Sequence, residues 1–296
     1  MATVIETTAL TKTYGKHEAV RGLDLAVGEG SVCAFLGQNG AGKSSTIKML
    51  LGMMHPTSGS GSIFGHRIDR EQESLLIRQR VAFVAEDKRL YEYMTVGQMI
   101  GFTKSFFPRW DSSLEGRLME QFELPRERNI RQLSKGMRTK LALLLGFARG
   151  CDLLILDEPT EGLDPVAIED VLQIVVSLAA QGTTIFFSSH QIAEVEQVAD
   201  HVLMIDRGKL VLDAPMDRIK EQYRHIQAVF PDAVEERDFR LPGIEKVSVQ
   251  GRTVSFVASH NVDSIVEHIR MLHAGSIDVA PISLKEIFLE KVKART

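Results

Sequence analysis

Gly37-Gln38-Asn39-Gly40-Ala41-Gly42-Lys43-Ser44 reads G-x-x-x-x-G-K-S. Ahead of it, Ser31-Val32-Cys33-Ala34-Phe35-Leu36 is a short apolar run suited to a buried strand, and the residues from Ser45 to Leu51 suit a helix. Strand, glycine-rich loop and helix in that order make this spacing a phosphate site rather than a turn with a chance lysine. The glycines let the backbone curl so that successive N–H groups point inward at β- and γ-phosphates. The helix N-terminus adds a partial positive charge. Lys43 supplies a full charge, and the Ser44 hydroxyl is placed to hold Mg²⁺. The stretch therefore implies a bound nucleotide and leaves its use open.

The 296 residues leave room for one large domain, or one large and one small. Hydrophobic residues make up 44% and charged residues 25%, enough apolar surface for a real core. A net charge of −4 gives no global bias toward nucleic acid or anionic lipid. The longest apolar run, Leu141 to Ala148, is far short of the ~18 residues that span a bilayer. Met1 to Glu6 has neither the basic nor the apolar region of a signal peptide. Cys33 and Cys151 each precede a motif on an expected buried strand, as small core residues of a reduced cytosolic protein. The nine histidines show no metal-ligand spacing. The expectation is a cytosolic chain that reaches a membrane only through a partner.

Strand-like alternation runs through Val4–Leu10 and Ala19–Leu25, punctuated by Gly15 and by Gly28-Glu29-Gly30. Tyr14 stands at the first turn, where an aromatic ring can stack on a purine or simply lie half-buried. Residues 56 to 61 read as a turn leading to a short strand at 62 to 65, and Val81–Val84 as a buried strand. Glu86 leaves the tip of that strand, where ligand sites of α/β domains gather. From 95 to 150 the pattern is helical. Thr95-Val96-Gly97-Gln98 is a capping box for a helix to about Phe107. Asp111 caps the next, with Leu114, Leu118 and Phe122 on one face. Tyr91, Tyr93, Phe102, Phe106, Phe107 and Trp110 are expected mainly as the small core of this region, with a partner groove as the alternative. Ser134 and Gly136 open the next helix, where a hydroxyl and free N–H groups can meet an anion.

Asp152-Leu153-Leu154-Ile155-Leu156-Asp157-Glu158 is an apolar strand ending in two carboxylates. Beside a phosphate loop, the first suits Mg²⁺ and the second suits polarising an attacking water. Gly162-Leu163-Asp164-Pro165 turns into a helix to about Ala180, and a strand at 183 to 187 delivers Ser188-Ser189-His190 at its end. A histidine at that place in an α/β domain points to the nucleotide site.

The order of these motifs resembles the ATP-binding subunits of ABC transporters over residues 1 to about 215. The resemblance makes Tyr14 the aromatic that stacks on adenine and Gly37 to Ser45 the Walker A loop. Glu86 stands at the Q-loop, and Leu133-Ser134-Lys135-Gly136-Met137 matches the LSGGQ signature. Asp157 and Glu158 end Walker B, Asp164 lies in the D-loop and His190 is the H-loop switch. It implies an α/β fold, with a P-loop NTPase (RecA-like) core, an antiparallel β subdomain and an inserted α-helical subdomain at about 90–150. It also implies ATP and Mg²⁺, the latter held by Ser44, Asp157 and Glu86, and catalysis by Glu158, His190 and Lys43. Two subunits, copies or paralogues, would pack head to tail, with Ser134 and Gly136 of one closing on the ATP of the other. Their partner would be an integral membrane permease subunit, with the ATPase on the inner face of the cell membrane and no nucleic acid involved.

Three residues depart from the pattern. Lys135 replaces a glycine of the signature, either adding a charge near phosphate or simply solvated, and Met137 replaces a glutamine there. Glu86 replaces a glutamine, which should alter metal affinity or coupling. Glu161 stands where a serine is common, and no consequence of it is legible in the sequence. Together with Phe107-Pro108-Arg109-Trp110-Asp111, the set resembles the bacterial ABC-2-type exporter branch, in particular YtrB-like subunits linked to antibiotic response. The alternatives are an importer-type ATPase, a soluble ABC ATPase acting on nucleic acid or ribosomes, and an ATP-gated regulator with little turnover. One motif set and no heptad run oppose the second, and Glu158 opposes the third.

Residues 216–296 read as a small α+β domain without phosphate chemistry. Ile226–Phe230 is a strand, and Val247, Val249, Val254 and Phe256 flank a hairpin around Gln250-Gly251-Arg252. Asn261 is expected to cap a helix carrying Val262, Ile265, Val266, Ile269 and Leu272 on one face, with Gly275 stopping it. Ser283-Leu284-Lys285-Glu286 is a further capping box. Dimer contact or regulation is the expected role.

Overall fold

Long alternating segments open the chain, and they pair. In the computed structural model, which describes residues 2–293, β1 (Thr3–Tyr14) and β2 (His17–Gly28) form an antiparallel hairpin closed at Tyr14↔His17. All of β3 (Val32–Leu36) is buried, which is why its sequence is continuously apolar instead of alternating. After α1 (Lys43–Leu50) come β4 (Ser58–Ile63) and β5 (His66–Arg67), completing a four-stranded sheet in the order β2-β1-β4-β5. β4 begins four residues earlier than expected. Its Ser-Gly-Ser-Gly opening follows β1 from Thr11↔Ser58 to Ile5↔Ile63, and only a residue without Cβ fits at Gly59 against Ala9. Turn composition concealed a strand that close backbone approach requires.

The chain continues through α2 (Glu71–Arg80), β6 (Val81–Val84), α3 (Val96–Lys104), α4 (Ser112–Gln121) and α5 (Lys135–Phe147). There follow β7 (Leu153–Asp157), α6 (Pro165–Ala180), β8 (Thr184–Ser189), α7 (Ile192–Val198), β9 (His201–Asp206) and β10 (Lys209–Pro215). A six-stranded sheet results, in the order β10-β9-β3-β8-β7-β6, with β9, β3, β8, β7 and β6 parallel. Phe35 of β3 and Phe186 of β8 pack with ring centroids 5.4 Å apart, both fully buried. The register sets Leu36 beside Ser189 and Asp157 beside Ser188. The C-terminal ends of β3, β8 and β7 therefore lie side by side, the edge where α/β sheets bind ligands. Cys33 is buried on β3, but Cys151 is half-buried ahead of β7 and not on it; neither forms a disulfide.

Helices α3 to α5 are capped by side chains. Thr95 and Gln98 form the reciprocal capping box, Asp111 accepts from the Ser113 and Leu114 N–H groups, and Ser134 accepts from the Met137 N–H. α3 ends at Lys104, short of the expected Phe107, with Ser105 as its C-cap. The aromatic residues here are not the core. Val96, Met99 and Ile100 take the inward face of α3 and are buried, as are Leu114, Leu118, Phe122 and Ile130. Tyr91, Tyr93, Phe102 and Phe106 are left exposed and meet edge to face or tilted, with centroids 5.1–5.7 Å apart. Phe107 lies under the Arg149 guanidinium, 3.7 Å from its centroid, and the Trp110 Nε1–H donates to buried Glu115 at 2.9 Å.

The chain divides into two compact units, Met1–Val211 and Leu212–Thr296. The second holds α8 (Met216–Gln222), β11 (Arg224–Val229), β12 (Ile244–Gln250), β13 (Thr253–Ala258), α9 (Val262–Met271), β14 (Ser276–Pro281) and α10 (Leu284–Lys293). Its sheet is antiparallel in the order β12-β13-β11-β14, with Ile226, Phe256, Ile265 and Ile269 at the core. β14 was not legible in the sequence, since its burial is partial on both faces. Asn261 precedes α9 in the left-handed region, φ 57°, and makes no capping bond. The helix stops at a left-handed His273, φ 61°, instead of at Gly275. The Ser283–Glu286 reciprocal bonds that open α10 are present.

Candidate functional site

The loop between β3 and α1 is shaped by contacts that glycine alone satisfies. A Cβ on Gly37 would lie 2.6 Å from the Ile205 carbonyl, and one on Gly42, φ 113°, would collide with the Ala19 carbonyl. Gly42 is the N-cap of α1, so the first turn of that helix, Lys43, Ser44 and Ser45, faces the loop with unpaired N–H groups. The Gly37 N–H donates to the Ser189 carbonyl at 3.2 Å, tying the loop to the end of β8.

Three side chains converge above this edge. Lys43, only 5% exposed, donates to the Gly37 carbonyl at 2.7 Å and the Gln38 carbonyl at 3.3 Å. Its Nζ lies 3.1 Å from Glu158 Oε1, an ion pair without hydrogen-bond alignment, since that buried oxygen accepts no hydrogen bond. The other carboxylate oxygen, Oε2, is 2.8 Å from His190 Nδ1. Glu158 has φ 47°, a left-handed backbone unusual for a non-glycine residue and of the kind found where a site over-determines local geometry. Its N–H donates to Ser188 Oγ at 3.1 Å, and Ser188 Oγ donates to Asp157 Oδ1 at 2.6 Å. Its carbonyl accepts from Lys88 Nζ at 3.1 Å. Burial pushes the Lys88 ammonium below its ordinary pKa despite nearby Glu161, Glu86 and Asp157.

A cavity of about 470 Å³ opens here, lined by Tyr14, Asn39, Gly40, Gly42, Lys43, Ser44, Ser45, Glu86 and Glu158. His17 and Ala19 also line it, and sequence reasoning missed both. They are brought in by the β1–β2 hairpin, whose pairing places His17 opposite Tyr14. Tyr14 is half-exposed at the end of β1, with the Lys12 ammonium 5.5 Å from its ring centroid. A neighbouring cavity of about 580 Å³ is shared by Ser44, Glu86 and Asp157. These three offer one hydroxyl and two carboxylates, the oxygen donors a hard divalent cation takes. Among the described residues no group of three or more His, Cys, Asp or Glu is arranged to hold a metal.

Ser134, Gly136 and Asp164 are not in either cavity. Ser134 is exposed and caps α5; Asp164 is exposed and caps α6 through the Ala167 N–H at 3.0 Å. Within one chain they do not meet the Lys43 edge. Lys135 reaches solvent but does not hang free: its Nζ pairs with Glu161 Oε1 at 2.7 Å.

The family described as ABC transporter matches residues 20–161. The bacitracin transport ATP-binding protein BcrA of Bacillus licheniformis is 37% identical over 227 residues, 76% of this chain and 74% of its own length. The ABC transporter ATP-binding protein YtrB of Bacillus subtilis is 25% identical across 97% of this chain and 98% of its own. A solved ATP-binding subunit of an ABC transporter superposes with a TM-score of 0.66 at 29% identity, covering 73% of this chain and 92% of that one. The chain belongs to the ABC transporter family, as one of its ATP-binding, ATP-hydrolysing subunits.

Proposed function

We propose that this chain is the motor subunit of an ABC-2-type exporter, working as a pair with a second copy or a paralogue and driving a separate membrane permease. The observation that carries the catalytic part is the convergence of Lys43, Glu158 and His190, at 3.1 and 2.8 Å, on one sheet edge. Backbone N–H groups from Gly37 to Ser45 cradle the ATP phosphates, Lys43 neutralises their charge, and Tyr14 stacks on the adenine. Ser44, Asp157 and Glu86 would hold Mg²⁺, which when bound offsets charge on the β- and γ-phosphates. Glu158 accepts a proton from water as its oxygen attacks the γ-phosphorus; the bond to the bridging oxygen breaks and ADP leaves. His190, bonded to Glu158, holds that carboxylate in aim. Ser134, whose hydroxyl caps α5 in its own chain, and Gly136 supply a hydroxyl and N–H groups to the γ-phosphate bound on the other subunit.

Export is the part that the resemblance to ABC-2-type subunits supports. Among the described residues no helix is long and apolar enough to cross a membrane, and this reading gives the crossing to the permease partner. We read the chain as a cytoplasmic subunit, peripheral on the inner membrane face through that permease. The exposed ring cluster of Tyr91, Phe102 and Phe106 supports a docking face for that partner, since contiguous exposed apolar surface marks interaction sites. The test is pull-down of the tagged chain from detergent-solubilised membranes. Co-purification of one integral membrane protein is expected; recovery of none would overturn the transport reading.

A further inference from the structure

Two residues that depart from the ABC pattern face each other. Lys135 Nζ and Glu161 Oε1 are 2.7 Å apart, joining the first turn of α5 to the loop between β7 and α6. The contact extends beyond the charges. The Lys135 stem crosses Gly162, where a Cβ would lie 3.1 Å from both Cδ and Cε. A Cβ on Gly136 would meet the Gly162 carbonyl at 3.2 Å. Buried Thr139 donates through Oγ1 to the Glu161 carbonyl at 3.4 Å.

Electrostatics favours the pairing from both ends. A lysine in the first helical turn opposes the helix dipole, and the first turn of α5 has no acidic residue of its own. Glu161 supplies that charge from another element, and the bond from Lys135 holds its carboxyl below the usual carboxylate range. Glu161 is also linked to the catalytic edge. Its N–H donates to the Glu158 carbonyl at 3.3 Å, the same oxygen that accepts from Lys88 at 3.1 Å.

We propose that Glu161 is a positioning residue whose ion pair with Lys135 locks the Ser134–Gly136 turn to the Glu158 loop of the same chain. A nucleotide on the second copy, gripped by that turn, then sets the aim of this chain's own Glu158. The proposal rests on the composite two-subunit site proposed above. It gives the two departures one joint role: each charge alone would be a defect at its position, and together they couple the two sites.

The test uses the full chain carrying K135E, E161K, or both, alone and combined with E158Q. Both side chains reach solvent, at 73% and 40% exposure, so the folded state should tolerate them. Each single reversal should lower kcat by about tenfold and flatten the cooperativity in ATP, with KM within about threefold. The exchanged pair returns a carboxylate to the α5 N-terminus and should recover kcat to within about threefold of the parent. Recovery stays incomplete because a lysine at 161 then faces Lys88. In the E158Q background, K135E should weaken ATP-dependent self-association and the exchange should restore it. An exchange no better than the product of the single variants overturns the proposal, as do single variants that match the parent. If E158Q with an intact pair fails to self-associate on ATP, the composite site itself falls, and the latch with it.

Discussion

Ser188 has no exposed surface, and its hydroxyl ties the Asp157 carboxylate to the Glu158 backbone: it donates to Asp157 at 2.6 Å and accepts from the Glu158 N–H at 3.1 Å. Ser188→Ala removes that one oxygen. The Glu158 N–H keeps its longer bond to the Ser188 carbonyl at 3.3 Å, but Asp157 loses a short donor in a buried setting. A hydrogen bond to a charged group contributes about 1.5–3 kcal/mol. For a unit the size of Met1–Val211, each kcal/mol moves the melting midpoint by about 2–4 °C, so a fall of roughly 3–12 °C is expected. Because the same oxygen anchors the left-handed turn of Glu158, kcat should drop by about tenfold while KM for ATP stays within about threefold. Thermal melts and steady-state phosphate release read the two effects. A midpoint within about 1 °C of the parent, with unchanged kcat, would refute the idea that this hydroxyl organises the edge.

Lys43→Ala removes a buried ammonium that bonds two loop carbonyls and pairs with Glu158, and should abolish productive ATP binding; unchanged affinity in a fluorescent-nucleotide titration would contradict the loop assignment. Glu194 is buried, and burial pushes its carboxyl above the ordinary range despite bonds from Thr160 and Ser189. A raised folded pKa contributes stability that is present below the unfolded value and lost as pH rises through the folded one, so Glu194→Gln should melt higher than the parent at alkaline pH and show a flatter pH dependence; identical pH profiles would refute this. Phe102→Ser with Phe106→Ser removes two exposed rings whose edge-to-face contact lies at 5.1 Å, and should abolish co-purification of the membrane partner while ATP binding persists.

What the sequence made legible was local. The phosphate loop could be read because strand, glycines, lysine and helix are contiguous, and β7 because a run of buried residues ends in two carboxylates. The side-by-side arrangement of β3, β8 and β7 came from the structure. What stayed hidden depends on distant partners. The Ser58–Gly61 segment has turn composition, yet it is a strand because β1 lies beside it. The aromatic residues near 91–106 were expected in a core, but aliphatic side chains on the inward face of α3 already fill it. Lys135 and Glu161 are separated by 26 residues, and nothing in either neighbourhood announces the other. Asn261 was expected to cap α9 and Gly275 to stop it, but Asn261 makes no capping bond and a left-handed His273 ends the helix.

The central claim is that Glu158 acts on a nucleotide held at the Lys43 edge. Its most direct test is Glu158→Gln, which leaves the carboxamide near His190 but removes the proton acceptor. ATP affinity should be retained, turnover should fall roughly 10²–10⁴-fold, and the ATP-bound protein should accumulate as a dimer in sedimentation analysis. Turnover close to that of the parent would take Glu158 out of the base role and contradict the account.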